Sequence, residues 1–417
     1  MKLSLKNKTI GILSSWTENC GNASYTKQLI EELSKHYKKA DCIHLNQKLI
    51  HSGVSVEDEV LSEVKKYDFI NIQYEAALFG KTAKRSHNFL RRILNSHDNI
   101  SITIHSIFIK HQIDPKKRFS EFKISLLRNL TKLGIIKDGL SSSDYSCLKF
   151  LFFVSKQIKL GKKIHFIVHR EELVDFMEKF DIPSKPHPIV AATNRDIKEL
   201  NLPETRLKFL KTHNLDESKT YVGIFGFLGE YKGFDVALKA LASLPENFHI
   251  IMCCQKHPMF GAGSMATKRK KVANNGLEPD EQTRILNAII TENNLSNRVH
   301  YVNHLINEED FKLAVAGTDI PLFPYYEVGQ GGSGPISYAI HLNNNAKIIA
   351  SRTKAFEDYY NDYYPECFTF FDQGNDLELA YKIQNAPSLK NNIIEAQKNY
   401  GVDGNIQVYL NTTLASA

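Results

Sequence analysis

Two successive sets of short β-branched runs, each separated from the next by a helix-length amphipathic segment, constrain this chain more than any other feature. The first half offers TIGILSS, DCIHLN, FINIQY, ISITIH and HFIVH as strands, and the second offers YVGIFGF, FHIIMCC, RVHYVN, DIPLFPY, KIIAS and CFTFF. Between them lie apolar residues at helical spacing. Residues 22–37 put Ala23, Leu29, Ile30, Leu33 and Tyr37 near one face, and DVALKALASL, NEEDFKLAVAG and PISYAIHL read the same way. Such alternation predicts parallel sheets joined by crossover helices. Its repetition, in a chain of 417 residues that is too long for one hydrophobic core, predicts two doubly wound α/β domains. The expected domains are 1–200 and 215–388, divided by the polar stretch 194–219 with its Pro203. A last helix is expected from about Leu389 to Leu410, and the final residues, NTTLASA, read as disordered.

Several classes fall away on composition. No apolar run approaches the ~20 residues that span a bilayer, and the N-terminal apolar stretch is too short and broken for a secretory leader. The six cysteines (20, 42, 147, 253, 254, 367) have no CxxC spacing. They predict reduced thiols in a cytoplasmic protein, with neither a disulfide framework nor a zinc site. The net charge of +7 permits an anionic ligand or surface without requiring one. One segment breaks the alternation: the span 107–163 is too long for a single crossover. From Lys110 to Lys163 it carries 13 Lys/Arg against 4 Asp/Glu, with ISLLRNL and CLKFLFFV interleaved. Two readings stand: a helical insertion with a solvated basic face, or a peripheral contact with an anionic membrane or lipid-linked substrate. The run Lys268-Arg269-Lys270-Lys271 has no aromatic neighbours to stack bases, so it reads as a surface loop and predicts no nucleic-acid partner.

In open parallel sheets, ligands bind beyond the carboxyl ends of the strands. The first domain places Trp16, Gly21-Asn22, Glu75, His105 and His169 there; the second places Gly226 to Lys232, Gln255, His304, Glu327 and Arg352. Each has an ordinary alternative: His169 as a structural histidine, Glu75 as a helix cap. Gly329-x-Gly331-x-x-Gly334 satisfies a dinucleotide fingerprint. Tyr325-Tyr326-Glu327 nevertheless separates it from its strand, and it follows a late strand of its domain, whereas the fingerprint belongs to a tight first turn. Arg352 after the next strand would suit an NADP phosphate, so an oxidoreductase remains an alternative. The loop precedes PISYAIHL, with Pro335 in the first turn. It therefore predicts an anion site of backbone N–H groups and a helix N-terminus, with Ser333 and Gly334 nearest the phosphates. The earlier loop GFLGEYKGFDVALKAL delivers Lys232 to the same rim as Glu327. A lysine and two helix N-termini suit a compact diphosphate, and a carboxylate beside them suits the hydroxyls of an attached sugar.

GFLGEYKGFDVALKAL and FPYYEVGQGGSGPISYA…KIIASRTKAF resemble the donor half of retaining GT-B glycosyltransferases of the family 4 type. CGNASYTKQLIEEL, NIQYEAALFG and SITIHS resemble the corresponding segments of the first half, so the likeness covers roughly residues 8–375. It implies a GT-B fold, two Rossmann-like domains facing a central cleft, with the C-terminal helix returning to the first. It further implies transfer of a sugar from a nucleotide diphosphate sugar to a glycan or lipid-linked acceptor, with retention and with neither metal nor cofactor. By the same likeness Lys232, Glu327 and His105 are the catalytic set. Gly21, Asn22, Gly226, His304, Gln330, Gly332, Ser333, Gly334, Pro335 and Arg352 join the donor site, and Trp16, Glu75 and His169 stand with His105 on the acceptor side. Two positions depart from the family pattern. Pro335 stands where a second glutamate commonly contacts ribose, and Phe227 stands where an arginine commonly follows the first glycine. A catalytically weakened nucleotide-sugar-binding protein is the alternative these departures raise.

Overall fold

A computed structural model describes residues 5–16, 21–52, 56–75, 78–80, 82–105, 142–255, 279–302, 308–328, 332–345 and 347–416. His304, Gln330, the run 268–271 and most of the basic insertion lie outside them. The chain divides into two compact units. The first comprises residues 1–188 with 329–332 and 403–417, the second residues 189–328 with 333–402.

The first unit is built on a six-stranded, all-parallel sheet in the order β2-β1-β3-β4-β5-β6. Its strands are β1 (Thr9–Ser14), β2 (Lys39–His44), β3 (Phe69–Tyr74), β4 (Asn99–Ile104), β5 (Lys163–Val168) and β6 (Ser184–Pro186). Ile10, Ile12, Ile70, Ile72, Ile100, Ile102, Ile164 and Phe166 are buried in it, as expected of strands covered on both faces. The direction of the strand order reverses between β1 and β3.

The second sheet runs β12-β11-β10-β7-β8-β9, also parallel. Its strands are β7 (Thr220–Phe227), β8 (Phe248–Gln255), β9 (Val299–Tyr301), β10 (Ile320–Phe323), β11 (Ile349–Ser351) and β12 (Thr369–Phe371). This is the dinucleotide-fold order, and its reversal falls between β7 and β10. Helices Phe234–Ala242 and Gly334–Leu342 leave these two strands and bury nearly every apolar side chain they carry.

The structure departs from the sequence expectations at three places. The stretch 194–219 is no linker. It forms helices Asn194–Leu200 and Thr205–Thr212 of the second unit, and the units change over at Pro188/Ile189. Thr193 and Asp196 make a reciprocal capping box, Lys312 pairs with Asp196 at 2.8 Å, and Phe209 and Leu210 are fully buried. The closing helix is two helices, Lys390–Tyr400 in the second unit and Val402–Ser416, which lies in the first from Asp403 on, broken at Gly401. The tail as far as Ser416 continues the second of these, because Tyr409, Leu410, Thr412 and Thr413 are buried along it. Finally β6 has no counterpart among the expected strands: Ser184-Lys185-Pro186 carries no β-branched residue, and proline is tolerated there because the strand is an edge.

Candidate functional site

The second unit gathers its site across the switch point. After β7 the chain turns through a 3-10 turn, Glu230–Lys232, and enters helix Phe234–Ala242 by way of Gly233 in the left-handed region (φ 64°). A Cβ at Gly233 would stand 1.8 Å from the carbonyl oxygen of Pro324, so glycine is needed both for its dihedral and for close passage of the segment after β10. The Tyr326 N–H then donates to the Tyr231 carbonyl at 2.7 Å, tying the two segments together. Gly226 (φ 122°) brings its backbone alongside the end of Lys232, whose Nζ would lie 3.5 Å from a Cβ there.

Lys232 is 5% exposed. Its Nζ donates to the Tyr325 hydroxyl at 2.5 Å and lies 3.8 Å from the centre of the Tyr325 ring and 5.0 Å from that of Tyr231. Burial pushes the amine down to about 7 from its ordinary 10.5. No carboxylate pairs with it among the described residues. The Tyr325 hydroxyl also meets Ser333 Oγ at 3.3 Å. Ser333 is the N-cap of helix Gly334–Leu342 in extended conformation, yet its side chain does not cap the helix. Pro335 occupies the first turn, where its missing N–H costs nothing. Open space surrounds the place a side chain would occupy at Gly334. The helix N-terminus, with its partial positive charge, therefore lies next to a buried lysine, linked to it through Tyr325 and Ser333. Gly332 precedes it, half-buried.

Glu327 lies two residues beyond Tyr325 and is exposed. Its Oε2 accepts from the N–H of Lys354 at 2.7 Å, at the start of helix Lys354–Asp362. Its own N–H donates to Gln373 Oε1 at 2.8 Å, and Gln373 Nε2 donates to the Arg352 carbonyl at 2.6 Å. Gln373 thus locks together the segments after β10, β11 and β12. Sequence reasoning missed it, for an exposed glutamine in a turn carries no signal. Arg352 follows β11 and is exposed, with Glu357 at 3.6 Å and Asp372 at 3.4 Å, and stacks on Phe370. Gln255 closes β8.

In the first unit, His105 and His169 form one chain of hydrogen bonds. His169 Nδ1 donates to the His187 carbonyl at 3.0 Å, its Nε2 lies 3.1 Å from His105 Nδ1, and His105 Nε2 lies 2.6 Å from Gln73 Oε1. Gln73, Asn71 and Thr103 continue the chain to the Tyr409 hydroxyl, which meets that of Tyr25 at 3.1 Å. The Tyr25 ring stands edge-on to His105 at 5.2 Å. Burial lowers both imidazoles, His169 to about 4. Both ring nitrogens of His105 face protein partners. The polar Asn71 and Gln73 inside strand FINIQY were the available signal for this network. Trp16 is half-buried beneath Lys27, whose Nζ is 5.8 Å from the ring centre. Glu75 follows β3, where its carbonyl accepts from the Leu78 N–H, and Gly21-Asn22 open helix Gly21–Leu33 with unfilled space at the Gly21 Cβ position. Cys253 and Cys254 are buried thiols whose ionisation is suppressed. Among the described residues no group of three metal-ligating side chains occurs, and no helix is long and apolar enough to cross a membrane.

No family model matches this sequence, and no curated protein does. Solved structures do resemble the whole chain. Anabaena HepE in complex with UDP and glucose is 14% identical, with a TM-score of 0.56 over 99% of this chain and 100% of that one. Sucrose-phosphate synthase from Thermosynechococcus elongatus is 14% identical, with a TM-score of 0.60 over 97% and 98%. A glycosyltransferase from Rickettsia africae is 12% identical, with a TM-score of 0.61 over 98% of each chain. The fold is GT-B. At such identities the likeness is one of fold, and the chemistry rests on the side chains described above.

Proposed function

We propose that this chain is a glycosyltransferase that moves a sugar from a nucleotide diphosphate sugar to a glycan or lipid-linked acceptor, retaining the anomeric configuration and using no metal. The observation that carries the reading is the lysine buried at the switch point of the second sheet and linked through Tyr325 to Ser333, the N-cap of the next helix. A diphosphate is the ligand that such positive groups bind best. Lys232 and the first N–H groups of helix Gly334–Leu342 stabilise the diphosphate as it departs, an electrostatic contribution already organised before reaction. Glu327, oriented by Lys354 and Gln373, accepts hydrogen bonds from the hydroxyls of the sugar. Support comes from HepE, a protein of the same fold found with UDP-glucose.

The oxidoreductase alternative is less well served. The glycine-rich segment follows β10, the fourth strand of its sheet in chain order, while the first turn of that unit holds Lys232. A thermal-shift screen against UDP, GDP, dTDP, ADP, CMP and NADP(H), with the matching sugar conjugates, tests the reading. A ligand at a hundredfold over its dissociation constant stabilises the native state by about 2.7 kcal/mol. We expect one nucleoside diphosphate and its sugar to raise the melting temperature. A rise with NADP(H) alone overturns the proposal.

A further inference from the structure

Lys232, Tyr325 and Ser333 lie in one line of contacts, Nζ to Oη at 2.5 Å and Oη to Oγ at 3.3 Å, ending at the helix N-terminus. We propose that this line is a proton-linked latch: binding of a diphosphate at the N-terminus of helix Gly334–Leu342 draws a proton from solvent onto the Lys232 amine, and Tyr325 passes the consequence to Ser333. The inference rests on the donor-site reading above and adds a regulation to it.

Hydrogen-bond direction makes the coupling. An ammonium has donors and no lone pair. When Lys232 is charged, Tyr325 Oη must accept from it and turns its own proton toward Ser333 Oγ. The Ser333 hydroxyl proton is then released toward the space beside Gly334, where it can meet a phosphate oxygen. When Lys232 is neutral, its lone pair can accept a hydrogen bond from the Tyr325 hydroxyl. Oη then accepts from Ser333, and Ser333 shows a lone pair to the ligand. The first setting attracts an anion and the second repels it. No bond breaks apart from that of the proton moving from solvent to Nζ.

The surroundings suit a group that changes charge. Glu230 and Tyr231 share the turn with Lys232, Asp235 opens the next helix, Tyr325 and Glu327 come from beyond β10, and Ser333 comes from the facing helix. Of these, Tyr325 alone holds a hydrogen bond with the amine. Burial, with Tyr325 as the amine's hydrogen-bond partner, brings its pKa down to about 7, where a nearby anion can change its charge. The Tyr325 ring under the amine favours the cation.

Calorimetry on the full chain tests this, using whichever of UDP-, GDP-, ADP- and dTDP-glucose stabilises it, since the diphosphate of a nucleotide sugar does not titrate near neutral pH. Titrations in HEPES and in Tris, at pH 6 and pH 8, count the protons taken up. We expect uptake of close to one proton at pH 8 and little at pH 6, with affinity falling about tenfold from pH 8 to pH 9. Tyr325→Phe keeps the ring and removes the relay, so its loss of affinity should be several-fold greater at pH 8 than at pH 6. A merely structural role would weaken binding equally at both. Intact binding with no proton uptake at pH 8 overturns the latch while leaving the donor site standing, and equal weakening of Tyr325→Phe at both pH values removes Tyr325 from it. Binding of none of the four sugars overturns the donor-site reading, and the latch falls with it.

Discussion

A lysine amine sealed against two tyrosine rings destabilises the ligand-free fold, because burial without an opposing carboxylate disfavours its charge. The unfolded chain keeps the proton up to about 10.5, whereas the native state releases it near 7. Between those values the unfolded state binds more protons, so the penalty is full at and below pH 7 and is relieved as pH rises toward 10.5. Lys232→Met, which keeps the unbranched stem, should therefore raise the stability of the free protein at pH 7. We expect about 1–3 kcal/mol, below the full linkage value because partial hydration relaxes the penalty. The gain should shrink toward pH 10, and nucleotide diphosphates should no longer stabilise the variant. Thermal melts across pH, with and without ligand, measure all three. A variant that melts lower than wild type at pH 7 would show that the lysine stabilises the fold instead.

At the scale of elements, the site depends on how closely two strand-end segments pass. At Gly233 an added Cβ would stand 1.8 Å from the Pro324 carbonyl oxygen. Gly233→Ala places a side chain at a left-handed dihedral and against that oxygen, so it should cost roughly 2–4 kcal/mol and should separate Lys232 from Tyr325. Denaturant melts measure the first effect, and loss of nucleotide-induced stabilisation measures the second. Unchanged melts would mean that the loops are looser than the geometry shows. Strands such as FINIQY and YVGIFGF were legible in the sequence because β-branched runs between turn residues have few other fates. β6 was not, since Ser184-Lys185-Pro186 becomes a strand only because β5 offers it an edge. The expected linker at 194–219 was misjudged for a related reason. Its polar residues are partners, Arg206 to Asp319 at 2.6 Å and Asp196 to Lys312, and such pairings span more than a hundred residues of sequence.

Over the whole molecule, both units set their polar side chains at the carboxyl ends of parallel strands, and that much followed from alternation alone. Lys232, Ser333, Gly334 and Glu327 could each be picked out of the sequence because each sits next to a recognisable strand end or helix start, and the structure brings Lys232 and Ser333 together through Tyr325. Tyr325, Gln373 and the pairing of His105 with His169 were not, because their roles are set by which side chains face each other once the strands have a register. The central claim is that the second unit holds a nucleotide diphosphate sugar so that its diphosphate can leave. The most direct measurement is release of the nucleoside diphosphate from the sugar conjugate that stabilises the protein, with water standing in for the acceptor, compared between wild type and Glu327→Gln. The account predicts release by wild type, and in the variant normal affinity for the nucleoside diphosphate with release slowed by roughly 10²–10³-fold. Release at the wild-type rate by Glu327→Gln, or none by wild type with the ligand bound, would contradict it.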